Sequence, residues 1–284
     1  MMANLLNYIV WDPDPILFHL GPIALRYYAT CWLVGLLLGY LLMQRLYRQQ
    51  KIGDEKFEPL FIYIFIGILA GARLGHCLFY QPEYFLSQWD HVVEMLIPMH
   101  HLPDGSWKFT GYEGLASHGG VIGLFVAIWL YCRNLKVKGW VVLDNMGICS
   151  GIAAAFIRIG NLMNSEIIGK VTDLPWAFIF VKEDQYPRHP GQLYEAIAYL
   201  IIFLLIFFIY KKKGPKSVGS GLYFGLCLTL IFTFRFFIEY TKEIQVAFEA
   251  GLPMDMGQIL SIPLILLGVW SIASSFRRAK KIQA

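Results

Sequence analysis

The sequence predicts an all-α membrane protein, a bundle of about seven transmembrane helices with its larger loops on the outward side. Hydrophobic residues make up 57% of the 284 residues and charged residues only 15%. The mean hydropathy is +0.52, whereas soluble domains are usually less apolar. Apolar stretches near the bilayer-spanning length of about 20 residues recur along the chain. Lysine and arginine, finally, cluster in every second connection between those stretches.

Each predicted span is an apolar segment bounded by polar or turn-forming residues. The seven spans lie at about 25–47, 58–80, 114–132, 140–163, 191–210, 219–240 and 256–275. Two longer loops, at about 81–113 and 164–189, follow the second and the fourth span. We expect a single polytopic membrane domain, 1–284, because no repeat or low-complexity segment divides the chain. The first span is expected to insert uncleaved, because the first 20 residues lack the basic start of a signal peptide.

The distribution of basic residues predicts the orientation. Clusters follow the first, third, fifth and seventh spans: Arg45, Arg48, Lys51, Lys56; Arg133, Lys136, Lys138; Lys211, Lys212, Lys213, Lys216; Arg277, Arg278, Lys280, Lys281. The other side carries fewer: Lys108, Lys170, Lys182, Arg188, Lys242. Because basic loops stay in the cytoplasm, we expect the N-terminus outside and the C-terminus in the cytoplasm. The net charge of +4 then reflects topology and contact with anionic membrane lipid, and no nucleic-acid partner is expected.

Small residues recur at four-residue spacing in two spans: Gly67, Gly71, Gly75 in the second, and Gly147, Gly151, Ala155 in the fourth. Such stripes allow helix backbones to approach closely, so we expect them to pack helices. Asp144 and Asn145, near the inner end of the fourth span, are interpreted as packing or capping residues. The five cysteines fall in or beside apolar spans and do not form the pattern of a disulfide framework.

Polar residues of six spans fall at one depth, in the outer half of the predicted bundle. They are Arg73, His76, His118, Arg158, Asn161, Arg188, His189, Arg235, Glu239, Gln258. An arginine at the bilayer centre costs roughly 2.5–3.5 kcal/mol on insertion scales, so intramembrane ionisable groups indicate function. This layer is the predicted functional site.

The arginines of this layer predict a phosphate ligand, and the nearest abundant phosphates are lipid headgroups. Arg158 and Arg235 offer fixed charge and paired donors, and the amides of Gly119 and Gly120 at a helix start would add a weak anion site. His118 is the best candidate proton acceptor, although a histidine at a helix start can also be a cap. Arg235 and Glu239, at i,i+4 spacing, can equally be a structural ion pair.

No metal or cofactor is expected, because His76, His118 and His189 lack the spacing of a helical metal-ligand pair. A different function for the same arginines is a phospholipid transporter or flippase. Transporters favour inverted repeats and broken helices at mid-membrane, whereas these charges are confined to one half. A membrane phosphatase or acyltransferase would need a nucleophile or metal set that the sequence does not display.

The chain resembles the prolipoprotein diacylglyceryl transferases of bacterial cytoplasmic membranes, almost from end to end. The resemblance rests on Gly21, Pro22, Arg26, Tyr27, Tyr28; Gly71, Ala72, Arg73, Leu74, Gly75, Leu78, Phe79, Tyr80; His118, Gly119, Gly120, Gly123; Arg158, Gly160, Asn161, Asn164, Glu166; Arg188, His189, Pro190, Gln192, Leu193, Tyr194, Glu195; Arg235, Glu239; and 256–263. Ala72, Ile157 and Ile231 depart from the residues usual in that family, which bears on secondary contacts.

The resemblance implies transfer of the diacylglyceryl group of phosphatidylglycerol to the lipobox cysteine thiol of a prolipoprotein signal peptide. It implies functional roles for Tyr28, His118, Arg158, Asn161, Glu166, Gly169, Arg235, Glu239. In the resulting hypothesis His118 deprotonates the thiol, Arg158 and Arg235 bind the phosphate, and Asn161, Glu166 and Glu239 orient the arginines. Tyr28 is grouped with the catalytic residues, and Gly119, Gly120, Gly169 and His189 with the substrate-binding ones. The active site would face the outer leaflet of the inner membrane.

Overall fold

The structure is a computed structural model that describes residues 8–243 and 254–283, apart from 22, 98, 103, 104, 110, 112 and 113. Pro22, which contributed to the family resemblance, lies outside the described residues. The helices are α1 Tyr27–Gln49, α2 Asp54–Phe79, α3 Pro82–Phe85, α4 Trp89–Leu96, α5 Ser117–Leu135, α6 Gly139–Met163, α7 Gly191–Lys213, α8 Leu222–Ile238, α9 Met256–Gln283.

Each predicted span corresponds to a long helix, and the helical prediction is confirmed at that level. Six helices in the described part of the chain are long and apolar enough to cross a membrane: α1, α2, α6, α7, α8 with the turn that follows it, and α9. The chain is therefore a multi-pass membrane protein. The third predicted span, α5, is outside that set because Ser117, His118, Arg133 and Asn134 make both of its ends polar. The count of seven spans stays a prediction.

The purely helical prediction missed seven short strands within the described residues: β1 Ile9–Trp11, β2 Ile16–Leu20, β3 Ile23–Arg26, β4 Met99–His101, β5 Trp107–Phe109, β6 Phe178–Phe180, β7 Pro187–Arg188. The central strand β6 pairs in parallel with β1 and antiparallel with β7. The pairs β2–β3 and β4–β5 are antiparallel hairpins. These strands are only two to five residues long and lie before α1 or in the connections, where hydropathy over a helical length gives no signal.

The chain divides into two compact units. The first unit comprises Met1–Gln50 and Leu143–Ala284, and the second unit is Lys51–Val142. In the first unit α8 packs along α9 and contacts α7, and in the second unit α2 packs along α5. The boundary at Val142 lies inside the helix α6, and the single polytopic domain stays a prediction.

The contact between α2 and α5 is lined by glycines on both helices. A Cβ atom added to Gly75 would lie 2.7 Å from Gly119 Cα, and one added to Gly71 would lie 2.8 Å from Gly123 Cα. Real Cβ atoms do not approach so closely, so only glycine fits at this separation. The predicted packing role of the stripe in α2 is confirmed, with α5 as the partner.

The stripe in α6 packs against two other helices of the first unit. A Cβ atom on Gly147 would lie 2.7 Å from the Tyr223 carbonyl oxygen in α8, and one on Gly151 would lie 2.9 Å from Phe203 Cβ in α7. Each glycine therefore brings α6 close to a different neighbour.

Asp144 caps α8 from the neighbouring helix α6. Its carboxylate accepts hydrogen bonds from the backbone amides of Gly219 (2.8 Å), Gly221 (2.8 Å) and Phe224 (3.1 Å). The first amides of a helix have no partner within the helix, and the fully buried Asp144 supplies one. The interpretation of Asp144 as a capping residue is confirmed.

Candidate functional site

Arg158 forms a buried ion pair with a residue that the sequence analysis had not assigned to the site. Arg158 lies near the end of α6, and its Nε is 3.1 Å from Oε2 of Glu195 in the second turn of α7. The Arg158 side chain is 12% exposed and that of Glu195 is fully buried. The hydroxyl of Tyr199, one turn further along α7, donates to Glu195 Oε1 at 3.0 Å. A buried carboxylate needs such partners, because it has lost its hydration.

Lys242 is the second cation of Glu195. Its Nζ lies 3.2 Å from Glu195 Oε1 and 3.0 Å from Glu239 Oε2, and its side chain is 5% exposed. From the sequence, Lys242 was predicted only as one of the basic residues on the outward side. Its spacing of three residues from Glu239 was the available signal, since both follow the end of α8 in one short turn.

Asn161 connects Arg158 to Glu166. Arg158 Nη1 donates to Asn161 Oδ1 at 3.3 Å, and Asn161 Nδ2 donates to Glu166 Oε2 at 3.0 Å. The other carboxylate oxygen of Glu166 accepts from Asn164 Nδ2 at 2.8 Å. Glu166 therefore reaches Arg158 only through Asn161, and its carboxylate, held by two amides, is exposed.

The loop that carries Glu166 is backbone-strained. Ser165 and Ile167, on either side of Glu166, both have φ of 57°, which non-glycine residues rarely adopt. The Glu166 amide donates to the Asn161 carbonyl at 3.0 Å, and Gln192 Nε2 donates to the Glu166 carbonyl. These bonds fix the end of α6 against the start of α7, and with it the direction of the Glu166 side chain.

Gly169 lies where three segments of the first unit cross. Its amide donates to the His189 carbonyl at 3.0 Å, and a Cβ atom here would lie 2.8 Å from the Thr241 carbonyl. Gly169 also forms an isolated bridge with Lys242. His189 Nδ1 lies 3.3 Å from the Tyr194 hydroxyl, and burial lowers the pKa of the His189 imidazole, which favours its neutral form. Gly169 thus positions Lys242, and the binding roles of Gly169 and His189 stay predictions.

Arg235, in α8, has no hydrogen bond or ion pair with another described residue. It lines a cavity of about 150 Å³ together with Glu239, Lys242 and Gly257. The ion pair between Arg235 and Glu239 that the i,i+4 spacing allowed is not formed, because Glu239 turns to Lys242 instead. Lys242 lines this cavity beside Arg235 and pairs with Glu195, the partner of Arg158, so both arginines belong to one connected group of charged residues in the first unit.

Tyr28 begins α1 at a close contact with α6. A Cβ atom on Gly160 would lie 3.0 Å from Tyr28 Cδ2 and 3.4 Å from Cys31 Cβ. The Tyr28 ring meets Trp32 edge-on, with ring centroids 6.4 Å apart. Tyr28 thus contacts the last turn of α6 at Gly160, between Arg158 and Asn161 in the sequence.

His118 and its neighbouring glycines belong to the second unit. His118 is exposed in the first turn of α5. The amide of Gly120 already donates to the Ala116 carbonyl at 3.1 Å, so it is not the open anion donor that the sequence suggested. Gly119 packs against α2. The contribution of His118 to the arginine site stays a prediction.

Arg73, another member of the predicted layer, is used inside the second unit. Its Nη2 donates to the Glu94 carbonyl at 2.9 Å, and its guanidinium lies over the Phe85 ring, 5.0 Å from the centroid. Arg73 therefore joins α2 to the helices of the loop that follows. Among the described residues, no group of three or more His, Cys, Asp or Glu side chains is arranged to hold a metal ion.

Residues 15–274 match the model of a protein family described as prolipoprotein diacylglyceryl transferase. The chain belongs to this family. A phosphatidylglycerol–prolipoprotein diacylglyceryl transferase of Bacteroides fragilis is 55% identical over 269 residues, covering 95% of this chain and 96% of the relative. Proteins of the same name from Tolumonas auensis and Vibrio cholerae are 45% and 34% identical, and each match covers at least 92% of both chains. The resemblance predicted from the sequence is confirmed.

Membership of the prolipoprotein diacylglyceryl transferases makes the chain a transferase and favours this activity over the phospholipid transporter that the sequence left open. The network of Arg158, Glu195 and Lys242 lies within the matched residues 15–274. Two of its three members, Glu195 and Lys242, were not assigned to the predicted site, although Glu195 belongs to the segment 188–195 on which the family resemblance rests.

Proposed function

We propose that this transferase moves the diacylglyceryl group of phosphatidylglycerol to the lipobox cysteine thiol of a prolipoprotein signal peptide. Its family and the names of its relatives support both substrates. We place the reaction at the outer leaflet of the bacterial cytoplasmic membrane, with seven spans, the N-terminus outside and the C-terminus inside. The basic residues that follow alternate spans support this orientation.

The observation that carries the proposal is the charged network that connects Arg158, through Glu195 and Lys242, to the cavity lined by Arg235. In the reaction the thiolate sulfur attacks the glycerol carbon that bears the phosphate ester. The C–S bond forms, the C–O bond breaks, and glycerol phosphate leaves with the electron pair of that bond. Negative charge therefore grows on the phosphate, where fixed arginines in a poorly hydrated site are most effective. Arg158 and Arg235 are the proposed ligands of that phosphate.

The remaining residues hold or move charge around this centre. Glu195 and Asn161 hold the Arg158 guanidinium from two sides. Glu166, exposed and fixed by two amides, is available to the hydroxyl groups of the headgroup. His118 is the proposed acceptor of the thiol proton. Tyr28, Gly169, His189 and Glu239 are proposed to shape the site.

The test uses purified protein, phosphatidylglycerol vesicles and two lipobox peptides, one with Cys and one with Ser at the acceptor position. Mass spectrometry should show a gain of one diacylglyceryl unit on the Cys peptide only. A gain on the Ser peptide, or none on either, would contradict the proposed reaction.

The arginine assignment has its own test in the same assay. Arg158→Gln should lower the transfer rate by about 10²–10³-fold, the loss typical for one charge-stabilising donor. The matched control is Arg133→Gln. Arg133 is exposed in the last turn of α5, and this variant should transfer at the wild-type rate. Normal turnover of Arg158→Gln would remove Arg158 from the mechanism.

A further inference from the structure

We propose that Lys242 is a positioning residue for the transfer reaction, because it holds the Glu239 carboxylate and thereby leaves the Arg235 guanidinium available for a phosphate oxyanion. The inference depends on the proposed role of Arg235 as a phosphate ligand. Lys242 itself does not touch the substrate.

The ion pairs that involve Glu195 and Glu239 do not include the neighbouring cation Arg235. Glu195 is paired with both Arg158 and Lys242, and Glu239 is paired with Lys242. Both carboxylates are thus engaged, and among the described residues Arg235 has neither an ion pair nor a hydrogen bond. Within this cluster Arg235 is therefore the cation without a counter-ion, and it lines the cavity. Two further carboxylates line it, those of Asp255 and of Glu243, which pairs with Arg188.

Glu239 has a choice between two cations. It follows Arg235 by four residues, the spacing at which oppositely charged side chains on a helix meet. The helix α8 ends at Ile238, however, and the tighter turn Glu239–Thr241 brings Lys242 to the carboxylate. If the Lys242 ammonium is removed, Arg235 is the nearest remaining cation in sequence with which Glu239 can pair. A carboxylate paired with Arg235 would cancel its charge and repel a phosphate.

The backbone around Lys242 fixes this choice. Lys242 bridges to Gly169, its amide donates to the Glu239 carbonyl at 3.1 Å, and the aliphatic part of its side chain packs beside Gly191. Gly257 at the start of α9 leaves the space that the Glu239 carboxylate occupies. Two carboxylates compensate the buried ammonium, as a buried charge requires.

The test measures the dissociation constant of dioctanoyl phosphatidylglycerol for the detergent-solubilised full chain. Lys242→Met should weaken binding by about tenfold or more, equivalent to about 1.4 kcal/mol, because Glu239 then takes Arg235. In the Glu239→Gln background the same change should weaken binding by less than about twofold, because the amide has no charge with which to hold Arg235. Lys242→Arg should retain the parental affinity.

Lys170→Met is the matched control. Lys170 is exposed and its Nζ donates to the Tyr240 carbonyl at 3.1 Å. Its replacement should not change the affinity for dioctanoyl phosphatidylglycerol. Equal losses for Lys242→Met in both backgrounds, or no loss in either, would overturn the inference. If Lys242→Met does not fold, Lys242→Gln replaces it, with the same expected difference between backgrounds. Arg235→Gln separates the two proposals. Unchanged binding in that variant refutes Arg235 as a phosphate ligand. If Arg235→Gln weakens binding but Lys242→Met causes the same loss with and without Glu239, only the role of Lys242 is refuted.

Discussion

Both units pack apolar helices through glycines, and the first unit adds a buried charged contact. In the second unit the glycines of α2 and α5 face one another, and the polar side chains between the two helices are neutral: Tyr131 donates to the Lys56 carbonyl and Asn134 to the Tyr63 hydroxyl. In the first unit α6, α7 and the turn after α8 are joined by the buried charges of Arg158, Glu195 and Lys242. A glycine contact depends on shape alone. A charged contact fails when any one of its members is lost, because the others then remain buried and unpaired.

The largest effect is expected for Glu195→Ala, which breaks the charged contact at its centre. Arg158 and Lys242 would both lose their shared carboxylate, and removal of one partner of a buried ion pair typically costs about 3–5 kcal/mol. We expect a lower unfolding temperature in detergent and loss of diacylglyceryl transfer. Glu183→Ala, at an exposed glutamate of the same unit, is the control and should change neither quantity. Wild-type stability of Glu195→Ala would show that the ion pairs contribute little to the contact between α6 and α7.

A smaller effect is expected for Gly123→Ala in the glycine contact. The new methyl group would lie 2.9 Å from the Gly67 carbonyl carbon and 3.0 Å from Gly71 Cα, so α2 and α5 must separate. Overpacking of this kind costs about 1–3 kcal/mol. Gly39→Ala in α1, where no atom lies within 4 Å of the added carbon, should be neutral or slightly stabilising because alanine favours helix. Equal melting temperatures for the two variants would contradict the shape-based contact.

The smallest effect is expected for Asp184 in the loop before α7. Hydrogen bonds from Arg188 hold the pKa of the Asp184 carboxyl below its usual range. A carboxyl whose pKa is lowered by folding stabilises the protein above its unfolded pKa, about 3.9, and loses this effect as the pH falls through the folded pKa. The stability difference between wild type and Asp184→Asn should therefore be constant from pH 5 to pH 7 and shrink below about pH 3.9. Thermal melts of both proteins across that pH range measure this difference. A stability difference that grows towards acid pH would contradict a lowered pKa for Asp184 in the folded protein.

The glycine contact could be predicted from the sequence, and the charged contact only in part. The spacing of Gly67, Gly71 and Gly75 is visible along one helix, so it identified a packing face before the partner was known. The helices themselves followed from hydropathy, because the bilayer length constrains every span alike. The short strands were not predicted, because two to five residues carry too little pattern to be recognised.

The charged contact was predicted only in part, for a different reason. Arg158 and Arg235 were found because an arginine within an apolar span is conspicuous. Glu195 and Lys242 lie near span ends, where charged residues are common, and only tertiary structure shows that they are buried. An ion pair between Arg235 and Glu239 was one of two alternatives that their spacing allowed. Regular helix spacing does not continue past Ile238, where α8 ends, and Glu239 pairs with Lys242.

The Asp144 cap ties the end of one helix to another helix that precedes it in the chain. Until α6 is in place, the amides of Gly219, Gly221 and Phe224 lack their acceptor, and lipid cannot supply one. Because synthesis proceeds from the N-terminus, the ribosome delivers α6 before α8. The order of translation is thus also the order in which these end groups can be satisfied during assembly in the bilayer.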